Sequence, residues 1–256
     1  MNAIHTSLRL LVATAFAGIA THAGAALDSA KPSVVIVHGA FADGSDWAKV
    51  IPLLQARGIK VTAVQNPLTS LADDVAATRR AIAAQPGKVV LVGHSWGGTV
   101  ITDAGQHDKV ASLVYVAAFA PDAGKSTAET GAGYPAAPGS KRFVADAEGF
   151  LSLPQAAMRE DFAQDVPAAQ AALMTATQGP IQARAFADKV TGAAWTSRPS
   201  WFIVSARDRM IDPGLLRAMA KKIGARTTEL PSSHVPQQSQ PAEVARVILK
   251  AVAAAK

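Results

Sequence analysis

Apolar positions along this chain follow two rhythms that take turns. Short, largely apolar runs rich in β-branched residues, at Ser33 to Val37, Lys60 to Val64, Val89 onward, Val110 to Ala117, Ser200 to Ser205 and Thr227 to Leu230, have the length of buried strands. Between them the apolar residues recur at helical spacing. Trp47, Val50, Ile51, Leu53 and Leu54 predict a helix from Asp46 to Arg57, with Gly58 where a C-cap belongs. Ser70-x-x-Asp73 resembles a capping box and opens a helix running to about Ala84. A helical pattern begins near Gly97, and two more run from Pro213 to Ile223 and from Pro241 to Ala255. Strands that alternate with helices and are apolar on both faces predict an α/β fold, a mainly parallel sheet of about six strands with helices on both faces. From 121 to 195 the alternation breaks. A Gly/Pro-rich loop gives way to short helical patterns at Gln155 to Phe162, Pro167 to Ala176 and Gln182 to Val190, with no strand-like run. An insertion between consecutive strands at the end of a sheet where ligands bind predicts a helical cap over a site.

The run from Val89 ends in Gly93-His94-Ser95-Trp96-Gly97, and a helix follows at once. Strand, Gly-x-Ser-x-Gly and helix in that order predict a sharp turn that holds the Ser95 hydroxyl above the sheet, with Gly93 and Gly97 bare because neighbouring backbone crowds them. At the start of a helix, Ser95 also meets unpaired N–H groups and the positive end of the helix dipole, which suits a developing oxyanion. The pattern by itself is equally that of a glycine-rich turn with an incidental serine. Its position after a buried strand favours a nucleophile.

Composition narrows the rest. Within 256 residues, 49% of them hydrophobic, one large core can form, and a single domain over 26–256 is expected. Residues 1–25 stand apart: Arg9 precedes the apolar run Leu10 to Ala20, and Ala23-Gly24-Ala25 offers small residues for cleavage. That pattern predicts a signal peptide and a periplasmic or secreted protein, with no membrane association in the mature form. With no cysteine in the chain, stability rests on the core and thiol chemistry is excluded. The formal charge of +6 is scattered, with only Arg79-Arg80, Lys141-Arg142 and Lys221-Lys222 adjacent, so no nucleic-acid footprint is visible. The histidines His38, His94, His107 and His234 are too far apart to suggest a metal site.

A serine hydroxyl needs a general base, and that base needs an orienting carboxylate. Asp208 directly follows the Ser200 strand and His234 directly follows the last strand, so both emerge at the sheet end that carries Ser95. Ser, acid and His in that order, together with His38-Gly39-Ala40-Phe41 after the first strand, resemble the α/β-hydrolase superfamily across the whole of 26–256. The small build is similar to the branch of plant methyl-ester esterases and hydroxynitrile lyases. The resemblance implies that the backbone N–H groups of Ala40 and Trp96 form an oxyanion hole and that His38 shapes the turn. Asp122 is a rival acid, because some relatives carry the carboxylate after the preceding strand; the expected strand order favours Asp208. Hydroxynitrile lyases of this branch carry a lysine after the catalytic histidine and a threonine after the histidine of the first turn. Here those positions hold Val235 and Gly39, which argues against cyanohydrin cleavage.

The resulting expectation is a serine hydrolase that cleaves small carboxylic esters through Ser95, His234 and Asp208, without metal or organic cofactor. Phe41 and Trp96 flank the expected oxyanion donors and are read as walls of the substrate pocket, with Phe150, Leu151, Phe162, Leu173 and Met174 added by the cap. Two alternatives share the same residues: a cofactor-free perhydrolase or haloperoxidase, and a ligand-binding relative with slow turnover.

Overall fold

A computed structural model describes residues 31–255; the expected signal peptide lies outside the described residues. Six parallel strands form the central sheet in the order β2-β1-β3-β4-β8-β9, comprising β1 (Ser33–Val37), β2 (Val61–Val64), β3 (Val89–His94), β4 (Val110–Val116), β8 (Ser200–Ser205) and β9 (Arg226–Leu230). Along β1 and β3 successive side chains enter opposite cores. Val35, Val37, Val89 and Leu91 pack on one face, while Val34, Ile36, Val90 and Val92 pack on the other. A continuous apolar run is what a strand covered on both sides requires, and burial of each such side chain contributes about 1.5–3 kcal/mol. The chain lays β2 on one side of β1 and β3 on the other. The strand order thus reverses between β1 and β3, which places the ends of these two neighbouring strands at the point of an open α/β sheet where a ligand crevice forms.

Helices α1 (Ile51–Gln55), α2 (Leu71–Ala83) and α3 (Trp96–Ala104) follow β1, β2 and β3. The single helix expected from Asp46 to Arg57 is instead a 3-10 turn, Gly44–Trp47, and the short α1. Pro52 at the start of α1 has no N–H to donate back into the preceding turn, so the chain restarts there. Gly58 does adopt the left-handed φ of 70° after it. At the head of α2 the Ser70 hydroxyl caps Asp73 N–H at 3.1 Å, but Asp73 returns its bond to the Ser70 hydroxyl at 2.7 Å and not to the backbone.

Between β4 and β8 lie α4 (Thr127–Gly131), β5 (Val144–Ala145), β6 (Phe150–Ser152), α5 (Gln155–Ala157), which runs into a π-helical turn at Met158–Phe162, α6 (Ala168–Thr177) and β7 (Ile181–Gln182). The expectation of no strand in this segment is corrected: β5, β6 and β7 make a small antiparallel sheet. Strands of two or three residues leave no readable period, and their hairpin is shaped by Asp146, whose Oδ1 accepts from Glu148 and Phe150 N–H, with Gly149 at φ 82°. The helix expected at Gln182 to Val190 is likewise the end of β7 and a 3-10 turn, Ala183–Ala187. Helices α7 (Pro213–Lys222), α8 (Pro236–Ser239) and α9 (Pro241–Ala254) complete the chain, with α9 against β3, β4 and β8. Among the described residues no helix is long and apolar enough to cross a membrane.

Two features hold α3 in place. Gly97 lies on the backbone of the loop leaving β1, where an added Cβ would stand 2.5 Å from Val37 O. Asp74 of α2 is fully buried and accepts from Trp96 Nε1–H and from Leu68 N–H, both at 2.8 Å. Burial pushes the Asp74 carboxyl up to about 6 against these two bonds.

Gly97→Ala is expected to cost about 2–3 kcal/mol, read as a lower urea midpoint, because backbone must move to admit the methyl group. For Asp74 the folded pKa exceeds the unfolded value, so its contribution is fully present below about pH 4 and is lost as pH rises through about 6. The stability difference between wild type and Asp74→Asn, measured by urea unfolding at a series of pH values, is expected to move against the wild type by up to about 3 kcal/mol between pH 4 and 7. A pH-independent difference would show that the carboxyl titrates normally.

Candidate active site

The loop after β1 and the turn after β3 meet at the crevice. Ser95 has φ 52° and ψ −119°, a strained conformation enforced by contacts on both sides. A Cβ on Gly93 would stand 2.5 Å from Gly97 O, and one on Gly39 would stand 2.9 Å from Ser95 Cβ. The first loop is shaped by His38. Asn66 N–H donates to His38 Nε2 at 2.9 Å, which assigns the ring proton to Nδ1, and Nδ1–H donates to Gly39 O at 2.8 Å. Burial lowers the His38 pKa, so the ring stays neutral in this role. Among the described residues neither Ala40 N–H nor Trp96 N–H is taken by a turn, loop, cap or side-chain hydrogen bond. Two free donors therefore stand on either side of Ser95.

Asp208 and His234 leave the ends of β8 and β9. Asp208 Oδ1 accepts from Met210 and Ile211 N–H at 2.8 and 2.9 Å, and its Oδ2 faces His234 Nδ1 at 2.7 Å. Both side chains are buried. With Nδ1–H donated to the carboxylate, Nε2 is the nitrogen left for the cavity that Ser95 and His234 both line. Asp122 is elsewhere: its half-exposed carboxylate pairs with Lys222 Nζ at 3.1 Å.

Sequence reading missed two buried groups behind this pair. His94 Nε2–H donates to the backbone carbonyl of His234 at 2.8 Å, with the two rings 4.7 Å apart. Desolvation holds His94 well below the ordinary histidine pKa, so it serves as a neutral strut. Asp46, its carboxyl pushed up by burial, accepts from the side chains of Gln237 and Gln238 and ties the first loop to the residues after His234. Only its place as the second residue of Gly-x-Ser-x-Gly hinted at His94. Nothing local marked Asp46.

The cavity over Ser95 and His234 has a volume of about 350 Å³. Its walls are mostly apolar and include the aromatic rings of Phe41, Phe119, Phe143, Phe162 and Phe186, with Tyr134 half-exposed. The pocket role expected of the Trp96 side chain is corrected: the indole is 1% exposed, bonded to Asp74 and edge-on to Phe186. Helix α3 carries its first side chain back toward α2, which leaves only the Trp96 N–H at the turn. Of the apolar cap residues expected to close the site, Phe162 lines this cavity. Leu173 and Met174 line a neighbouring space of about 210 Å³ that shares Phe41, and Phe150 and Leu151 line neither. Phe119, Phe143 and Phe186 escaped the sequence reading because they sit on irregular segments with no period. Among the described residues no group of three His, Asp or Glu side chains is arranged to hold a metal ion.

Comparisons with known proteins agree with this architecture. A pyrethroid hydrolase of Sphingobium wenxiniae is 28% identical over 251 residues, which cover 84% of this chain and 85% of that protein. Methylesterase 2 of Arabidopsis thaliana is 35% identical over 108 residues, or 36% of this chain and 41% of the relative. The crystal structure of a pyrethroid hydrolase from Sphingobium faniae superposes with a TM-score of 0.73 at 22% identity, covering 87% of this chain and 97% of the other. The model of the alpha/beta hydrolase family matches residues 34–247. Six parallel strands, a strained serine turn after the third and an Asp–His pair at the ends of the last two make this chain a member of the alpha/beta hydrolase family.

Proposed function

We propose that the protein is a serine esterase acting on compact, uncharged carboxylic esters. The observation that carries this reading is the 2.7 Å contact of His234 with Asp208, with His234, Ser95 and Ala40 lining one cavity. Ser95 Oγ attacks the ester carbonyl while His234 Nε2 takes its proton, and Asp208 holds the ring in the required tautomer and stabilises the imidazolium. The N–H groups of Ala40 and Trp96 receive the oxyanion. His234 then protonates the leaving alcohol, an acyl-enzyme on Ser95 remains, and water activated by His234 releases the acid. The relatives named as esterases and hydrolases support ester substrates.

Substrate class follows from the walls. Asp212 is the one carboxylate on the lining, which holds no Lys or Arg, and one of its oxygens caps Leu215 N–H. Aromatic faces and a single carboxylate favour neutral, compact and aromatic groups and disfavour anions. The signal-peptide pattern of residues 1–25 supports export. N-terminal sequencing of protein recovered outside the cytoplasm is expected to start near Ala26.

Ser95→Ala and His234→Ala are each expected to lower kcat by at least about 10³-fold, with the double variant little worse than either, since the two act as a unit. Asp208→Asn is expected to cost up to about 10⁴-fold in kcat, and Asp122→Asn to leave it unchanged. The larger kcat loss marks the residue that orients His234, so a greater loss in Asp122→Asn than in Asp208→Asn would overturn the assignment of Asp208. Across acetyl, butyryl, octanoyl and palmitoyl p-nitrophenyl esters, kcat/KM is expected to peak at a short acyl group. A maximum at palmitoyl would contradict the enclosed pocket.

A further inference from the structure

The acid and base of this site sit on separate loops, and the segment that joins those loops belongs to the cap. Asp161 closes the π-helical turn Met158–Phe162 and is 1% exposed. Its Oδ1 accepts from Arg209 Nε–H at 2.7 Å, one residue after Asp208, and its Oδ2 from Arg142 at 2.8 Å. The ring of Phe162 lies edge-on to His234, with centroids 5.0 Å apart. Gln164 Nε2–H donates to Arg207 O at 2.7 Å, one residue before Asp208. Asp165 Oδ2 accepts from Ser233 N–H at 2.8 Å, one residue before His234. Four residues within one five-residue stretch, Asp161, Phe162, Gln164 and Asp165, thus contact both flanks of the acid, the ring of the base and the peptide leading into it.

The fit is tight on the acid side. Gly139 N–H donates to Arg209 O at 2.8 Å, and a Cβ on Gly139 would stand 2.9 Å from Asp161 Cβ and 3.0 Å from Arg209 O. On the base side the contact is a carboxylate on a backbone N–H, a charge-assisted bond. Asp165 is half-buried, and its other oxygen, Oδ1, is buried with no partner among the described residues, so the bond to Ser233 N–H is the one its side chain makes there.

Resting on the esterase reading above, we propose that Asp165 is a positioning residue for His234 and that Asp161 does the same for the Asp208 loop. This stretch of the cap is then a fixed clamp on the catalytic pair and not a lid that lifts away from it. Asp165 touches neither substrate nor the reacting atoms. It acts through the Ser233 peptide, which sets where the His234 backbone starts and so how the ring reaches both Asp208 and Ser95. A displacement of about 1 Å at a catalytic group can cost about 10²-fold in rate without weakening binding.

The test compares Asp165→Ala, which deletes the acceptor, with Asp165→Asn, whose side-chain oxygen can still accept from Ser233 N–H. In Asp165→Ala, kcat for a short p-nitrophenyl ester is expected to fall about 10- to 100-fold with KM within about threefold of wild type, and Asp165→Asn to recover most of kcat. The second readout is the downfield proton resonance of His234 Nδ1–H in its bond to Asp208, assigned by its loss in Asp208→Asn. It is expected to weaken or move upfield in Asp165→Ala and to return in Asp165→Asn. Should Asp165→Ala fail to fold, Asp165→Gln, which shifts the acceptor by one methylene, carries the same expectation. A folded Asp165→Ala with wild-type kcat and resonance would overturn the proposal, as would an Asp165→Asn as impaired as Asp165→Ala, or a loss confined to KM. If the wild type neither turns over esters nor is labelled on Ser95 by a fluorophosphonate, the esterase reading fails, while the resonance still reports whether Asp165 places His234.

Discussion

Everything at this site depends on two stretches of backbone lying against each other with no side chain between them. The loop leaving β1 and the turn leaving β3 meet at Gly39 and Gly97, and Gly93 packs on Gly97 within the turn; at each an added methyl group would come within 2.5 to 2.9 Å of a neighbouring atom. Contact at that range brings the first loop beside Ser95 and holds the serine at its left-handed φ. Strain of this kind persists only where the surroundings determine the backbone more firmly than its own preference does. Here that firmness comes from buried strands on both sides of the crevice and from α3 locked behind the turn by Gly97 and Asp74.

Behind the serine the support is polar and buried. His38 and His94 are both held neutral by burial, and each uses a ring N–H to grip a backbone carbonyl, Gly39 O in one case and His234 O in the other. A neutral imidazole can brace backbone without placing a positive charge beside His234, as the proposed base role of that residue requires. Asp46 joins the first loop to the segment after His234 in the same way, through two glutamine amides. These bonds engage His94 Nε2 and both oxygens of Asp46, while His94 Nδ1, Gln237 Oε1 and Gln238 Oε1 are buried with no partner among the described residues.

The cap serves two ends at once. Its aromatic residues Phe143, Phe162 and Phe186 enclose the cavity, and its acidic residues Asp161 and Asp165 bond to the loops that carry Asp208 and His234. The hydrogen bond from Phe41 N–H to Gly179 O at 3.1 Å attaches it to the loop leaving β1 as well. The insertion is therefore stitched to the sheet domain around the whole rim of the site.

Much of this was determined by the sequence itself. Strands buried on both faces must be apolar at every position, so β1, β3, β4 and β8 announced themselves. Gly-x-Ser-x-Gly between a strand and a helix allows few conformations, and residues directly after strands emerge at one end of a parallel sheet. That logic reached Ser95, Asp208 and His234 without coordinates. The tertiary structure decided what depends on partners distant in the chain. It turned the Trp96 indole inward to Asp74, sent Asp122 to Lys222, and built a cap sheet from strands of two or three residues. It also brought Phe119, Phe143 and Phe186 to one cavity and set His94, Asp46, Asp161 and Asp165 behind the catalytic pair. A periodic pattern records which face of an element is buried. Which group lies opposite, across more than a hundred residues between His94 and His234, is a property of the packed chain alone.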